Sequence, residues 1–236
     1  MKKKIMILTA AFTLVLSLGA CGAGNAESTV QTETTAADAD QDTETAGENT
    51  DSQGTDGSRI LIAYFTAAEN SGVDAVASAS YSDVNGEAKG RMQALAEMIQ
   101  DVTGGDLFSI RTEETYPADG GDLIDYASQE QSEDARPALT THIENPDDYD
   151  IIFVGYPNWW ADLPMPLYSF FDEYDFSGKT IIPFNSHNGS RFSNTISTIA
   201  SLEPNATVIE DGFTVNERDV PDAAGDIASW VDSLGI

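Results

Sequence analysis

Ile151-Ile152-Phe153-Val154-Gly155-Tyr156-Pro157-Asn158-Trp159-Trp160 opens with six uncharged, mostly apolar residues and closes on two adjacent tryptophans. A short continuous apolar run reads as a strand covered on both faces, the habit of parallel sheets; a half-exposed strand would alternate with polar residues. Two more runs share that character: Ile60-Leu61-Ile62-Ala63-Tyr64-Phe65 and Thr180-Ile181-Ile182-Pro183-Phe184-Asn185. Weaker strand candidates lie at 106–110 and at 207–209 with 212–215. Helical stripes fall between them. Met92, Leu95, Ala96, Ile99 and Val102 share one face, and Gly104-Gly105 stops that helix. Phe192, Ile196, Ile199 and Leu202 form a second stripe ended by Pro204, and Ile227, Trp230, Val231 and Leu234 a third. Strand and helix alternate, which predicts an α/β fold with a mainly parallel sheet of about five strands. Right-handed crossovers leave few topologies for it.

In open α/β sheets ligands bind beyond the carboxyl ends of the strands, so the residues after each strong strand carry the chemistry. The first strand leads into Thr66-Ala67-Ala68-Glu69-Asn70-Ser71-Gly72, where hydroxyl, amide and glycine residues offer donors to a phosphate or simply make a polar turn. No G-x-G-x-x-G or P-loop pattern follows any strand. The second strong strand leads into Pro157-Asn158-Trp159-Trp160-Ala161-Asp162-Leu163-Pro164-Met165-Pro166. Large aromatic faces there suit a flat ring system, and at most one of two neighbouring tryptophans can face a ligand squarely, which leaves the other for packing. The third leads into Ser186-His187-Asn188-Gly189-Ser190-Arg191-Phe192. His187 reads there as a ligand-binding or loop-bracing residue, or as a general base. It has no cysteine or G-x-S-x-G nucleophile to serve. With His142 the only other histidine, a histidine-rich metal site is not expected, and the metal ligand set is empty.

With these loops in place the chain resembles the flavodoxin-like family, in particular a branch with a Tyr-Pro-x-Trp-Trp loop. The resemblance runs from about Arg59 to the C-terminus and rests most on Gly155-Tyr156-Pro157-Asn158-Trp159-Trp160, Asp175-Phe176-Ser177-Gly178-Lys179-Thr180 and His187-Asn188-Gly189-Ser190. Tyr116-Pro117 and Ala135-Arg136-Pro137-Ala138-Leu139 look like the family's middle segment. It implies a three-layer sandwich on a five-stranded parallel sheet of order 2-1-3-4-5, flavodoxin's own order. It implies non-covalent FMN, with Thr66, Ala67, Ala68, Glu69, Asn70 and Ser71 at the phosphate. Pro157, Asn158, Trp159, Trp160, Ala161, His187, Asn188, Gly189 and Ser190 would flank the ring. It also implies redox chemistry without a catalytic residue of the protein's own. One departure stands out. Family phosphate loops are rich in Ser, Thr and Gly and run straight into the first helix. Here Ala67, Ala68 and Glu69 occupy the loop, and 73–87 intervenes before the helix. A Glu69 carboxylate beside a phosphate repels it unless it points away or caps backbone.

Farther out, the N-terminus reads as an export signal. Lys2, Lys3 and Lys4 precede an apolar run at 5–16 that is shorter than the roughly 20 residues of a membrane span. Leu18-Gly19-Ala20-Cys21 resembles a bacterial lipobox, so 1–20 is expected to be a lipoprotein signal peptide and Cys21, the only cysteine, its lipidation site. Residues 22–57 contain no aromatic, Lys or Arg and cannot bury enough apolar surface to order, which makes 21–57 a disordered acidic tether before a domain at 58–236. The implied location is extracytoplasmic, lipid-anchored to the bacterial membrane. Forty acidic against 11 basic residues give a formal charge of −29, which argues against nucleic-acid partners. Two classes of function remain: an FMN-binding electron carrier or FMN-dependent oxidoreductase serving a redox partner protein or small-molecule acceptor, or a cofactor-free binding or scaffold lipoprotein.

Overall fold

The computed structural model describes residues 59–71 and 81–236. The expected signal peptide at 1–20, lipidated Cys21, the tether at 21–57 and the first part of 73–87 lie outside the described residues.

In chain order the elements are β1 (Ile60–Tyr64), α1 (Ala67–Ser71), β2 (Tyr81–Val84), β3 (Glu87–Gly90), α2 (Arg91–Thr103), β4 (Asp106–Ser109), α3 (Gly120–Glu133), β5 (Ile151–Pro157), α4 (Met165–Glu173), β6 (Thr180–His187), α5 (Thr195–Leu202), β7 (Thr207–Val208), β8 (Phe213–Asn216) and α6 (Ala224–Leu234). The main sheet is parallel, in the order β4-β1-β5-β6-β7, with β8 also pairing β6. Counting β7 and β8 as one interrupted edge strand gives the order 2-1-3-4-5. β7 pairs the first residues of β6 and β8 the last.

Pro183 accounts for the gap between them. The carbonyl of Ile181 accepts from Ile209 N–H at 2.9 Å, and residues two apart in a strand face the same side. Position 183 therefore faces the outer edge, where proline has no N–H to give.

Alternation along the strands splits the core in two. Leu61, Ala63, Ile152, Val154 and Tyr156 join residues of α3, α4 and α5 on one face. Ile62, Phe153, Ile182 and Phe184 join residues of α2 and α6 on the other. The three layers follow from runs that are apolar at odd and even positions alike. Burying a side chain of this size contributes roughly 1.5–3 kcal/mol each, so the two clusters hold the strand ends in place.

One expectation is corrected, and two features that the sequence left unassigned are added. Val102 is exposed rather than part of the buried face of α2, whose buried residues are Met92, Ala94, Leu95, Ala96 and Ile99. Of the prolines after Trp160, Pro164 caps α4 and Pro166 occupies its first turn, where a missing N–H costs no helical bond. The segment before α2 ends in an antiparallel hairpin, β2–β3. Its turn is Asn85-Gly86, with φ of 55° and 84°, the positive pair that a two-residue type I′ hairpin requires. Among the described residues no helix is long and apolar enough to cross a membrane.

Candidate cofactor site

β5, β6 and β8 run side by side and end together, and a cleft of about 450 Å³ opens over their carboxyl ends. Its walls are Pro157, Asn158, Trp159 and Trp160 after β5, Ser186, His187 and Asn188 at the end of β6, and Glu217 after β8. Arg91 at the start of α2 and Gly120, Leu123, Ile124 and Ala127 on α3 complete it.

The loop after β5 is fixed by its own backbone. Asn158 N–H donates to Ser186 O at 2.9 Å, which ties the loop to β6. Trp159 and Asp162 then exchange both backbone hydrogen bonds, at 3.2 and 2.9 Å. That closes a two-residue turn with φ of 49° at Trp160 and 66° at Ala161. Neither residue is glycine, so both sit in a conformation that costs L-residues about 1–2 kcal/mol each. Strain of this kind survives where the surroundings over-determine it, often at a binding site.

The turn gives the two tryptophans different roles. Trp159 packs edge-on against Phe65 at 5.8 Å between ring centroids and lies 6.0 Å from Tyr116. Trp160, 50% exposed, and Ile124 of α3, 57% exposed, both line the cleft. Exposed large apolar groups lining one cleft form a surface suited to a flat apolar ligand.

Polar groups line the cleft below them. Asn158 holds the next loop through its amide nitrogen, which donates to Arg191 O at 2.5 Å and to Ser193 Oγ at 3.2 Å. Its Oδ1 is buried with no hydrogen-bond partner in the protein. His187 Nδ1 accepts from Gly189 N–H at 2.8 Å, so the neutral ring carries its proton on Nε2. Burial, and after it the Arg191 guanidinium, hold the imidazole below its ordinary pKa. His187 is thus both a loop brace and a candidate donor. Arg91 and Glu217 form a largely buried ion pair, 3.6 Å apart with side chains 14% and 20% exposed.

The loop after β1 is arranged differently. Thr66 and Ala67 are fully buried. The Asn70 amide donates to Thr66 O at 3.0 Å, and its oxygen accepts from Thr112 N and Oγ1 at 2.7 and 3.0 Å. Glu69 turns toward the end of β4, where its carboxylate accepts from Tyr64 OH at 2.9 Å and from Ser109 Oγ, with Arg111 at 3.7 Å. Thr66, Ala67, Ala68, Glu69 and Asn70 do not line the cleft, and Ser71 closes α1. Ala161, Gly189 and Ser190 belong to the loops after β5 and β6 but are not among the residues that line the cleft.

The structure thus brings together Pro157, Asn158, Trp159, Trp160, His187 and Asn188 with Ser186 of the same loop, and adds Arg91, Gly120, Leu123, Ile124, Ala127 and Glu217, which the sequence did not single out. Leu123 and Ala127 do stand four apart, but between acidic and small residues that hide the stripe. Among the described residues no group of three or more His, Cys, Asp or Glu side chains is placed to hold a metal ion.

The family model described as Flavodoxin matches residues 59–234. Among solved structures, a candidate flavoprotein from Bacteroides eggerthii is 26% identical with a TM-score of 0.56, over 76% of this chain and 99% of that one. Another from Bacteroides uniformis is 25% identical with a TM-score of 0.57, over 75% and 99%. A flavoprotein from Lactobacillus acidophilus, solved in complex with FMN, is 19% identical with a TM-score of 0.48, over 72% and 99%. No curated protein matches the chain.

Proposed function

The chain belongs to the flavodoxin family, and from that premise we propose that it is an FMN-binding redox protein, carried outside the cytoplasm on a lipidated Cys21. The observation that carries the reading is the cleft over the carboxyl ends of β5, β6 and β8, lined by exposed Trp160 and Ile124. The residues present fit a flat ring system with a polar edge. Trp160, Leu123, Ile124 and Ala127 supply the apolar surface, while the buried, unpartnered Oδ1 of Asn158 and the Nε2–H of His187 supply an acceptor and a donor. FMN would supply the capacity to take up and release electrons.

The protein's own residues bind and orient. Trp159, seated on Phe65 and Tyr116, holds the turn that presents Trp160. Asn158 fastens the two ligand loops to one another through Arg191 and Ser193. No nucleophile or acid–base pair is needed for electron transfer, so an electron carrier and an FMN-dependent reductase share this site. A redox partner protein or a small-molecule acceptor would take the electrons. The membrane placement is supported by the lysines at 2–4, the apolar run at 5–16 and the lone cysteine. A Cys21→Ala protein should leave the membrane fraction; its retention there would refute the anchor.

The test of the cofactor is a titration of the purified protein with FMN, following flavin absorbance and tryptophan emission. Saturable quenching with a perturbed flavin spectrum is expected. A folded protein that gives neither would point to the cofactor-free binding or scaffold reading, which the occupied side chains of the β1 loop would then favour.

A further inference from the structure

A flavin mononucleotide has an anionic end as well as a ring, and the loop expected to receive it is otherwise engaged. Asn70 is spent on Thr66, Ile110 and Thr112. The Glu69 carboxylate adds negative charge there, and α1 is only five residues long. The chain as a whole carries a formal −29, so its long-range field repels a dianion. A local cation would offset that repulsion. Among the described residues that line the cleft, Arg91 alone carries a positive charge, and Glu217 alone a negative one. Their separation of 3.6 Å is an ion pair beyond hydrogen-bond length.

Position 91 is placed by its neighbours. Arg91 begins α2 directly after the β2–β3 hairpin. A Cβ at Gly90 would collide with the Thr66 hydroxyl, so only glycine lets the hairpin's end sit against the β1 loop. Glu217 is fixed in turn by its N–H, which donates to His187 O at 2.8 Å. The guanidinium therefore stands beside Glu217, after β8, in the wall of the cleft that holds Trp160.

Resting on the FMN reading, we infer that Arg91 is the anchor for the ligand's phosphate, with Glu217 as the competing carboxylate that it partly leaves when the phosphate arrives. A planar guanidinium fork matches phosphate oxygens in pairs, and such charge-assisted bonds are the strong ones. In this chain a side-chain cation takes over much of what a Ser, Thr and Gly loop would do through backbone N–H groups.

The test compares FMN with riboflavin, which has the same ring and no phosphate. Binding of each to the full-length protein is measured by fluorescence quenching, with a thermal melt to establish folding. The wild type should prefer FMN. Arg91→Gln should reduce that preference roughly ten- to a hundredfold, through weaker FMN binding and little change for riboflavin. Glu217→Gln should raise the preference by relieving the competition, and it serves as the test if Arg91→Gln does not fold. A preference that Arg91→Gln leaves unchanged, or that Glu217→Gln leaves unchanged where only that variant folds, overturns the anchor while the flavin site stands. Wild-type protein that binds neither ligand overturns both readings.

Discussion

Trp159 and Trp160 are neighbours in the chain with opposite surroundings, and single substitutions separate them. Trp160→Ala removes an exposed wall of the cleft; FMN affinity should fall about three- to tenfold, the range of one aromatic contact, with the melting curve nearly unchanged. Trp159→Ala removes packing from Phe65 and Tyr116 and should cost about 2–4 kcal/mol of stability in a denaturant titration. Equal effects of both variants on both readouts would refute this division. A second residue-scale prediction concerns Glu130, buried in α3 and accepting from Tyr116 OH at 2.5 Å. Burial raises its pKa above its ordinary value, against the hydrogen bond from Tyr116, which lowers it. A raised folded-state pKa means stability that is full below the ordinary Glu value and lost as pH climbs through the folded one. Glu130→Gln keeps an acceptor for Tyr116 and cannot ionise. Its stability relative to wild type should therefore improve as pH rises from about 4 to 7; a gap that is flat across that window would show that Glu130 does not titrate abnormally. At this scale the sequence was half legible. It separated one packing tryptophan from one facing the ligand without saying which, because the answer lies in two positive φ values that no residue type there announces.

Among the elements, the ones that could be read were those whose pattern is set by burial on two faces: β1, β5 and β6, with α2 and α6 packed on them. Those that escaped have local patterns weakened by other demands. α3 buries only Leu123, Ala127 and Glu130, too narrow a stripe among acidic and small residues, and its outward apolar Ile124 belongs to the cleft. α4 begins in prolines, which resemble a loop until their place in the first turn is known. The β2–β3 hairpin carried a usable signal in Asn85-Gly86, yet with the preceding stretch lacking a strand pattern the pair alone did not establish it. The turn joining β5 to α4 carries its own test. Ala161 sits at φ 66°, where glycine avoids the Cβ clash but adds flexibility to the unfolded chain, so the two effects oppose. Ala161→Gly should stabilise by about 0.5 kcal/mol by urea unfolding, relief of strain exceeding the entropy term. A loss of stability would mean that the surrounding loop, not the intrinsic cost of the conformation, governs that turn.

Over the whole molecule the dominant fact is charge. The chain carries forty acidic residues against 11 basic ones, and among the described residues lining the cleft the one cation, Arg91, is paired to Glu217. Glu217 and Asp219 are also felt at His187, where each favours the protonated ring, yet burial and Arg191 outweigh them and the ring stays below its ordinary pKa. No positive charge from His187 is therefore available near neutral pH to offset negative charge gained by a ligand in the cleft. Reduction of an FMN held in the cleft would add electrons within this envelope, and every carboxylate within reach would oppose it. The distant ones act through solvent and are screened over about 10 Å at 0.1 M salt, whereas the largely buried Glu217 is screened much less. Added salt should thus remove most of the long-range repulsion and leave the local part. The midpoint potential of the FMN-loaded protein should rise as sodium chloride goes from about 10 mM to 0.5 M, steeply at first and then levelling off as the Debye length falls below the distance to the nearer carboxylates. Glu217→Gln should raise the potential at every salt concentration by a nearly constant amount, because its contribution is the one that salt does not reach. A potential indifferent to salt would mean that the acidic surface does not act on the cofactor; a Glu217→Gln shift that vanishes in high salt would place that carboxylate in solvent rather than in the wall of the site.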